Sequence, residues 1–132
     1  MLFRSDVAAM TGTNFSSWYN QTEGSLYLET EASPNANTIY ADISDGSTPS
    51  NNFYFDNSSG NMRNVARSSG TAVSVLSLGA VGTIYAVNKL VGVYKVNDFA
   101  ADRNGGSTVT NASGAVPINQ NQLRIEIGRA HV

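Results

Sequence analysis

Short runs of alternating apolar and polar residues, broken at brief intervals by Asn, Asp, Ser and Gly, recur along the chain. This cadence most limits the fold. A period of two puts alternate residues on opposite faces of a strand, whereas a surface helix needs a period near 3.6. Ser25 to Glu31 sets Leu26 and Leu28 on one face and Tyr27, Glu29 and Glu31 on the other. Ser33-Pro34-Asn35 breaks the run. Thr38 to Ser44 points Ile39, Ala41 and Ile43 one way, and Asp45-Gly46 then turns the chain. Asn52 to Asp56 is an aromatic strand, closed by Asn57 to Asn61. Within Met62 to Arg67, the set Met62, Asn64 and Ala66 opposes Arg63, Val65 and Arg67. Ala72 to Leu78 follows the turn Ser68-Ser69-Gly70.

The longest apolar stretch is Ile84 to Val96. Inside it, Lys89 to Val96 sets Leu90, Gly92, Tyr94 and Val96 against Val91 and Val93. If the Val93 face were core, Val93→Asp would bury a charge at a cost on the order of several kcal/mol. Asn104-Gly105-Gly106 between Phe99–Arg103 and Ser107–Thr110 is a hairpin signal, because Asn and Gly accept the positive φ of tight turns. Leu123 to Ile127 is the last alternating strand. The pattern predicts an all-β fold of antiparallel strands, a two-sheet sandwich or a barrel. Ser5 to Met10 is expected to be a short helical arm capped by Ser5.

At 132 residues the chain fits one domain. The expected division is a leading arm or strand over 1–13, a sandwich over 14–127, and a non-native tail over 128–132. The ending Gly128-Arg129-Ala130-His131-Val132 resembles translated sequencing adapter, which would make the chain a fragment of a longer reading frame. Lys+Arg 8 against Asp+Glu 10 gives a net charge of -2. That balance lacks the basic footprint of a nucleic-acid binder and the polybasic patch of a membrane-surface protein. No apolar run approaches the roughly 20 residues of a membrane span. Without cysteine there is no disulfide, thiolate metal site or thiol nucleophile.

Catalytic sets are sparse. The one histidine, His131, sits at the extreme end and makes a poor base for a serine nucleophile. Glu29 and Glu31 share a strand face with Cα atoms roughly 6.5 Å apart, a spacing that a solvated outer face also produces. No phosphate-cradling glycine loop is present. Aspartates at turns, Asp45 and Asp98 foremost, supply the hard oxygens calcium prefers, but Asp is equally a default turn residue. Sugar rings stack on exposed aromatic faces while Asn and Asp bond their hydroxyls. Trp18-Tyr19-Asn20 and Tyr94 with Asn97-Asp98 have that composition. The competing assignment puts Phe15, Trp18, Phe53, Phe55 and Phe99 in the core.

Two segments carry a resemblance. Asn14-Phe15-Ser16-Ser17-Trp18-Tyr19-Asn20-Gln21-Thr22-Glu23-Gly24-Ser25-Leu26-Tyr27 resembles the opening of concanavalin A-like (laminin G-like) lectin/glucanase domains of tailed-phage structural proteins. The stretch from Lys89-Leu90-Val91-Gly92-Val93-Tyr94 through Asn97-Asp98-Phe99 to Asn104-Gly105-Gly106 is similar to the same family, and Ile43-Ser44-Asp45-Gly46 and Asn51-Asn52 fall between them in the same order. The resemblance implies a jelly-roll sandwich in a virion, on a tail fibre or other tail appendage. The expected function is non-catalytic binding of host-surface glycan, alongside other virion proteins and in a homotrimer through the parent protein. No nucleic acid, membrane or obligatory cofactor is expected, with calcium the one ion the fold would take. Catalytic relatives carry Glu-x-Asp-x-x-Glu on a strand; Glu29-Thr30-Glu31-Ala32-Ser33-Pro34 lacks the Asp and the final Glu. The family closes with a further strand beyond the Leu-x-Ile-Gly region, so an open sheet edge is expected after Ile127. The other reading is a structural spacer or subunit-contact domain with no ligand of its own.

Overall fold

A computed structural model describes residues 6–31, 37–47, 50–82 and 86–127. Ser5, the break at Pro34, the start of the apolar stretch at Ile84 and the tail with His131 lie outside the described residues. The elements are β1 (Asp6–Thr11), α1 (Gly12–Ser16), β2 (Glu23–Glu31), β3 (Thr38–Ser44), β4 (Asn52–Ser58), β5 (Asn61–Ser68), β6 (Thr71–Ala80), β7 (Val87–Lys95), β8 (Phe99–Arg103), β9 (Val109–Asn111) and β10 (Gln122–Ile127). They form a six-stranded sheet, ordered β1-β10-β3-β4-β5-β6, and a four-stranded sheet, ordered β2-β7-β8-β9. Every pairing is antiparallel. The chain is an all-β, two-sheet antiparallel sandwich.

The alternations decide which residues meet between the sheets. Phe53 and Phe55 of β4, Met62 and Ala66 of β5, and Leu76 of β6 face Leu90 and Tyr94 of β7 and Phe99 and Ala101 of β8. Leu26 and Leu28 pack against this core from β2, as their spacing requires. Close-packing of this kind is what burying alternate residues of two facing sheets produces.

Several expectations are corrected. Asp6 to Met10 lies in a strand, not a helix: β1 pairs with β10 from Asp6↔Ile127 to Thr11↔Gln122. Ladder hydrogen bonds to a neighbour override a weak local preference for helix. The helix comes later, over Gly12–Ser16. The same pairing places β10 inside the sheet, whose borders among the described residues are β1 and β6. Ile39 is exposed and Tyr40 is buried instead, because the register with β4 shifts between Ile39 and Ala41. One extra residue in a strand turns the side chains before it to the opposite face. The closure of β4 is tighter than Asn57 to Asn61: the strand runs to Ser58, and Ser59 and Gly60 turn the chain with φ of 52° and 81°. Asn104 does turn at φ 58°, but β9 begins at Val109, and Asn104 joins the sheet by pairing its backbone N–H and side-chain carbonyl with Lys89 at 2.8 Å each. Val93 lies on the outer face of the four-stranded sheet, so that face is not core and a carboxylate there stays hydrated.

Two features fix how the sheets meet. Gly92 of β7 sits where a Cβ would come within 2.8 Å of Asn64 Nδ2 and 2.9 Å of Phe55 Cζ. Arg103 of β8 reaches across to the end of β6. Its guanidinium donates to the carbonyls of Leu78 (3.2 Å), Ala80 (2.6 Å) and Val81 (3.0 Å), and its Nε to Asn88 Oδ1 (2.8 Å).

Gly92→Ala should destabilise the fold by about 1–3 kcal/mol through overpacking, read as a lower urea midpoint; an unchanged midpoint would show that the sheets have room to separate. Arg103→Met, which keeps the stem but removes the donors, should cost about 2–3 kcal/mol by leaving those carbonyls unmet. Thermal unfolding of that variant, with light scattering for association along β6, checks it.

Candidate functional site

The residues between α1 and β2 build an aromatic ledge. Phe15 is buried, Tyr19 stacks on it (centroids 4.5 Å, interplanar angle 27°), and Trp18 stands edge-on to both, at 5.1 Å from Phe15 and 6.2 Å from Tyr19. Trp18 is 48% exposed, so it is not a core ring. Its Nε1–H donates to Met10 Sδ at 3.2 Å, which pins the exposed ring. Tyr19 continues the chain of rings to Tyr94 at 6.2 Å. Tyr94 is buried against Phe53, its hydroxyl donating to the Asn20 carbonyl at 2.6 Å, in space that the missing side chain of Gly24 leaves. Burial raises both phenols, that of Tyr19 well above the usual tyrosine range because Tyr94 adjoins it. Of these three rings, Trp18 alone presents a largely open face.

Asn97 and Asp98 sit in the turn between β7 and β8. Asn97 adopts φ 57° and exchanges bonds with Gly114, its N–H to the carbonyl at 2.8 Å and the Gly114 N–H to its side-chain oxygen at 3.0 Å. Asp98 donates its N–H to the Lys95 carbonyl at 2.9 Å and leaves its carboxylate exposed. Asp45 is engaged at home: Oδ1 accepts from the Ser47 N–H (2.9 Å) and hydroxyl (2.7 Å), and Oδ2 from Asn51 (2.9 Å). Partial burial pushes the Asp45 carboxyl upward, but these donors outweigh it and hold the group below the usual carboxylate range. Among the described residues no three acidic or histidine side chains gather where they could hold a metal ion. Glu29 and Glu31 both face solvent.

A more organised polar surface lies on the six-stranded sheet, on the side away from the core. In register across its strands run Arg124 (β10), Asp42 (β3), Tyr54 (β4), Val65 (β5) and Val75 (β6). The next row holds Asp56 opposite Arg63, and the row on the other side holds Asn52 opposite Arg67. Arg124 grips Asp42 with two bonds, 3.0 and 2.8 Å, and Arg63 grips Asp56 with two, 2.9 and 2.6 Å. The carboxylates are nearly sealed, with 3% and 10% of their side-chain surface exposed, while the covering arginines keep 35% and 29%. The pairing raises both guanidinium pKa values further, so the arginines stay charged. Tyr54, between them, has its phenol raised by burial and by nearby Asp56, against a smaller opposing pull from Arg67 and Arg63. Asn52 is buried, and its side-chain oxygen lacks a hydrogen-bond donor.

Such an array suits polyhydroxylated ligands. A guanidinium with two N–H groups on a carboxylate retains three more, and these arginines, 35% and 29% exposed, present them to solvent. Each fork is held flat by its partner, so the donors are ordered before a ligand arrives. Part of this was readable in advance: the Ser59-Gly60 turn alone puts Asp56 opposite Arg63. The Asp42–Arg124 pair spans 82 residues and left no local signal. No family model matches the chain, and no curated protein matches it in sequence.

Arg63→Met strands the Asp56 carboxylate and should cost about 2 kcal/mol, below the 3–5 kcal/mol of a fully buried pair because Arg63 is partly hydrated. The double variant Arg63→Met/Asp56→Leu should regain most of that loss, giving a coupling energy in urea unfolding; additive losses would show that the pair does not interact.

Proposed function

We propose that this chain is a non-catalytic carbohydrate-binding module of a phage tail fibre or related virion appendage, and that it holds host-surface polysaccharide on the polar face of the six-stranded sheet. The observation that carries the reading is the pair of sealed carboxylates, Asp42 and Asp56, each fixed by an arginine and flanking Tyr54 on the sheet face turned from the core. Buried charges on an outer sheet face are costly to keep unless they are paired, and here the pairing leaves a fixed lattice of unused arginine N–H groups, since the arginines and not the sealed carboxylates reach solvent. Vicinal sugar hydroxyls, as acceptors, match such a lattice. Trp18 adds an open ring at the end of the sandwich. Binding without hydrolysis is favoured by the same pairs, since both oxygens of each carboxylate are already engaged. The virion setting rests on the likeness of residues 14–27 and 89–106 to tailed-phage domains.

A panel of bacterial surface polysaccharides, followed by calorimetry on the best, tests this. Arg63→Gln and Arg124→Gln should each weaken binding about tenfold, the loss of one hydrogen bond to a charged group, whereas Tyr54, 7% exposed, supports the surface without meeting the ligand. Because burial raises the Tyr54 phenol, any change in affinity that its ionisation causes should begin above the pH at which an ordinary tyrosine ionises. Failure of the wild-type chain to retain any polysaccharide, with a concentration-dependent oligomer in its place, would favour a subunit-contact domain.

A further inference from the structure

The outer face of the four-stranded sheet holds a depression of about 450 Å³, within the range of small-molecule sites. Its floor and walls include Tyr27, Val91 and Val93, and its rim includes Lys89, Asp102 and Thr108. Strand register explains the grouping. Tyr27 of β2, Val91 of β7 and Asp102 of β8 lie in one cross-strand row, with Glu29 and Lys89 opposite each other in the next. Tyr27 and Asp102 are two strand spacings apart, roughly 9–10 Å.

Tyr27 is unusual. It is 59% exposed, more than any other large hydrophobic residue among those described. Its hydroxyl donates to Glu29 Oε1 at 2.7 Å, which ties down the far end of the ring and leaves the faces open. Across the depression, the Thr108 hydroxyl donates to Asp102 Oδ2 at 3.3 Å. The surface therefore has an aromatic and aliphatic base, a fixed acceptor on one side and an ammonium donor beside it. Lys89 and Asp102 on the lining offset each other, and Glu29, bonded to Tyr27 and opposite Lys89, leaves the surroundings with one net negative charge.

We propose that this depression is a second ligand site, separate from the polar sheet face, and that it takes one neutral pyranose ring. The inference rests on the reading of the chain as a carbohydrate-binding module. A pyranose has an apolar C–H face, which suits Tyr27 and Val91, and a girdle of hydroxyls that both donate and accept, which suits Asp102, Thr108 and Lys89. The small negative excess disfavours an anionic ligand and leaves a neutral one unopposed. A purely apolar occupant would leave the ordered acceptor and donor without partners. The two sites lie on the outward faces of opposite sheets, so one module can engage two sugar segments, and binding to a polymer gains from the raised local concentration of the second.

Titration of 15N-labelled protein with methyl β-glucopyranoside and methyl β-galactopyranoside, with methyl glucuronide as the charged comparison, tests the site. Neutral glycosides should shift the backbone amides of Tyr27, Val91 and Asp102. Tyr27→Ala should weaken this at least tenfold and Tyr27→Phe by clearly less, since the ring makes the contact and the hydroxyl only holds it in place; both changes are at a solvent-facing position. Glucuronide binding tighter than the neutral sugars, equal losses in the two variants, or no shift at these amides in millimolar glycoside would each overturn the proposal. Concentration-dependent shifts of the same amides without sugar would overturn it too, by assigning the depression to a contact between copies. If polysaccharide binding persists and depends on Arg124 while the depression stays silent, only this inference fails. If no saccharide binds anywhere, the module reading fails with it.

Discussion

The close approach of β7 to β4 is the constraint on which the sandwich depends. Phe55 and Asn64 fill the space over Gly92, so this stretch of β7 has no side chain of its own toward the core and receives one from the opposite sheet. Leu90 and Tyr94 on either side then interleave with Phe55 and Phe53. Two sheets normally stand about 10 Å apart because both contribute side chains. With one layer thinned at a single position, a large aromatic is accommodated without widening the whole structure. The buried Asn64 amide at this junction donates to the Tyr54 carbonyl at 3.2 Å, so a polar group is admitted without being left unmet.

The charged residues are sorted by face. Among the described residues, Arg63, Arg67 and Arg124 stand on the outer side of the six-stranded sheet, whereas both lysines belong to β7. Arginine suits the first location, because its planar fork meets a carboxylate with two bonds and its weaker hydration lowers the penalty of lying against Tyr54 and Val65. Lysine suits the second, where Lys95 meets Glu23 at 3.3 Å with both side chains largely hydrated. An exposed pair of that sort contributes little to stability. The arginine pairs instead order a surface.

Period-two alternation was enough to place most strands and part of the core: Leu26, Leu28 and Leu90 point inward as their spacing requires, and Phe53, Phe55 and Phe99 are buried as large aromatics usually are. It failed where one residue changed the count, as at Tyr40, because a bulge leaves no mark in composition. It also failed at Asp6 to Met10, whose hydrogen bonds come from β10 at the far end of the chain. The aromatic content pointed to Trp18, and the open ring there follows from its position on the turn after a short helix. Tyr27 was placed correctly on the outer face, but its neighbours Val91 and Asp102 come from strands that only tertiary register sets beside it. The Asp42–Arg124 pair had the same obstacle. Local pairs across two-residue turns are legible; long-range ones are not.

The guanidinium of Arg103 has an effect beyond holding the sheets together. β6 is a ten-residue strand at the border of its sheet, carrying the exposed Val75, which is the kind of border that recruits a neighbouring chain. Its carbonyls at Leu78 and Ala80 are already taken by Arg103, and the Val73 carbonyl by the Asn111 amide at 3.4 Å. Side chains of one layer thus occupy docking points of the other, and along this flank a neighbouring copy finds those carbonyls already taken.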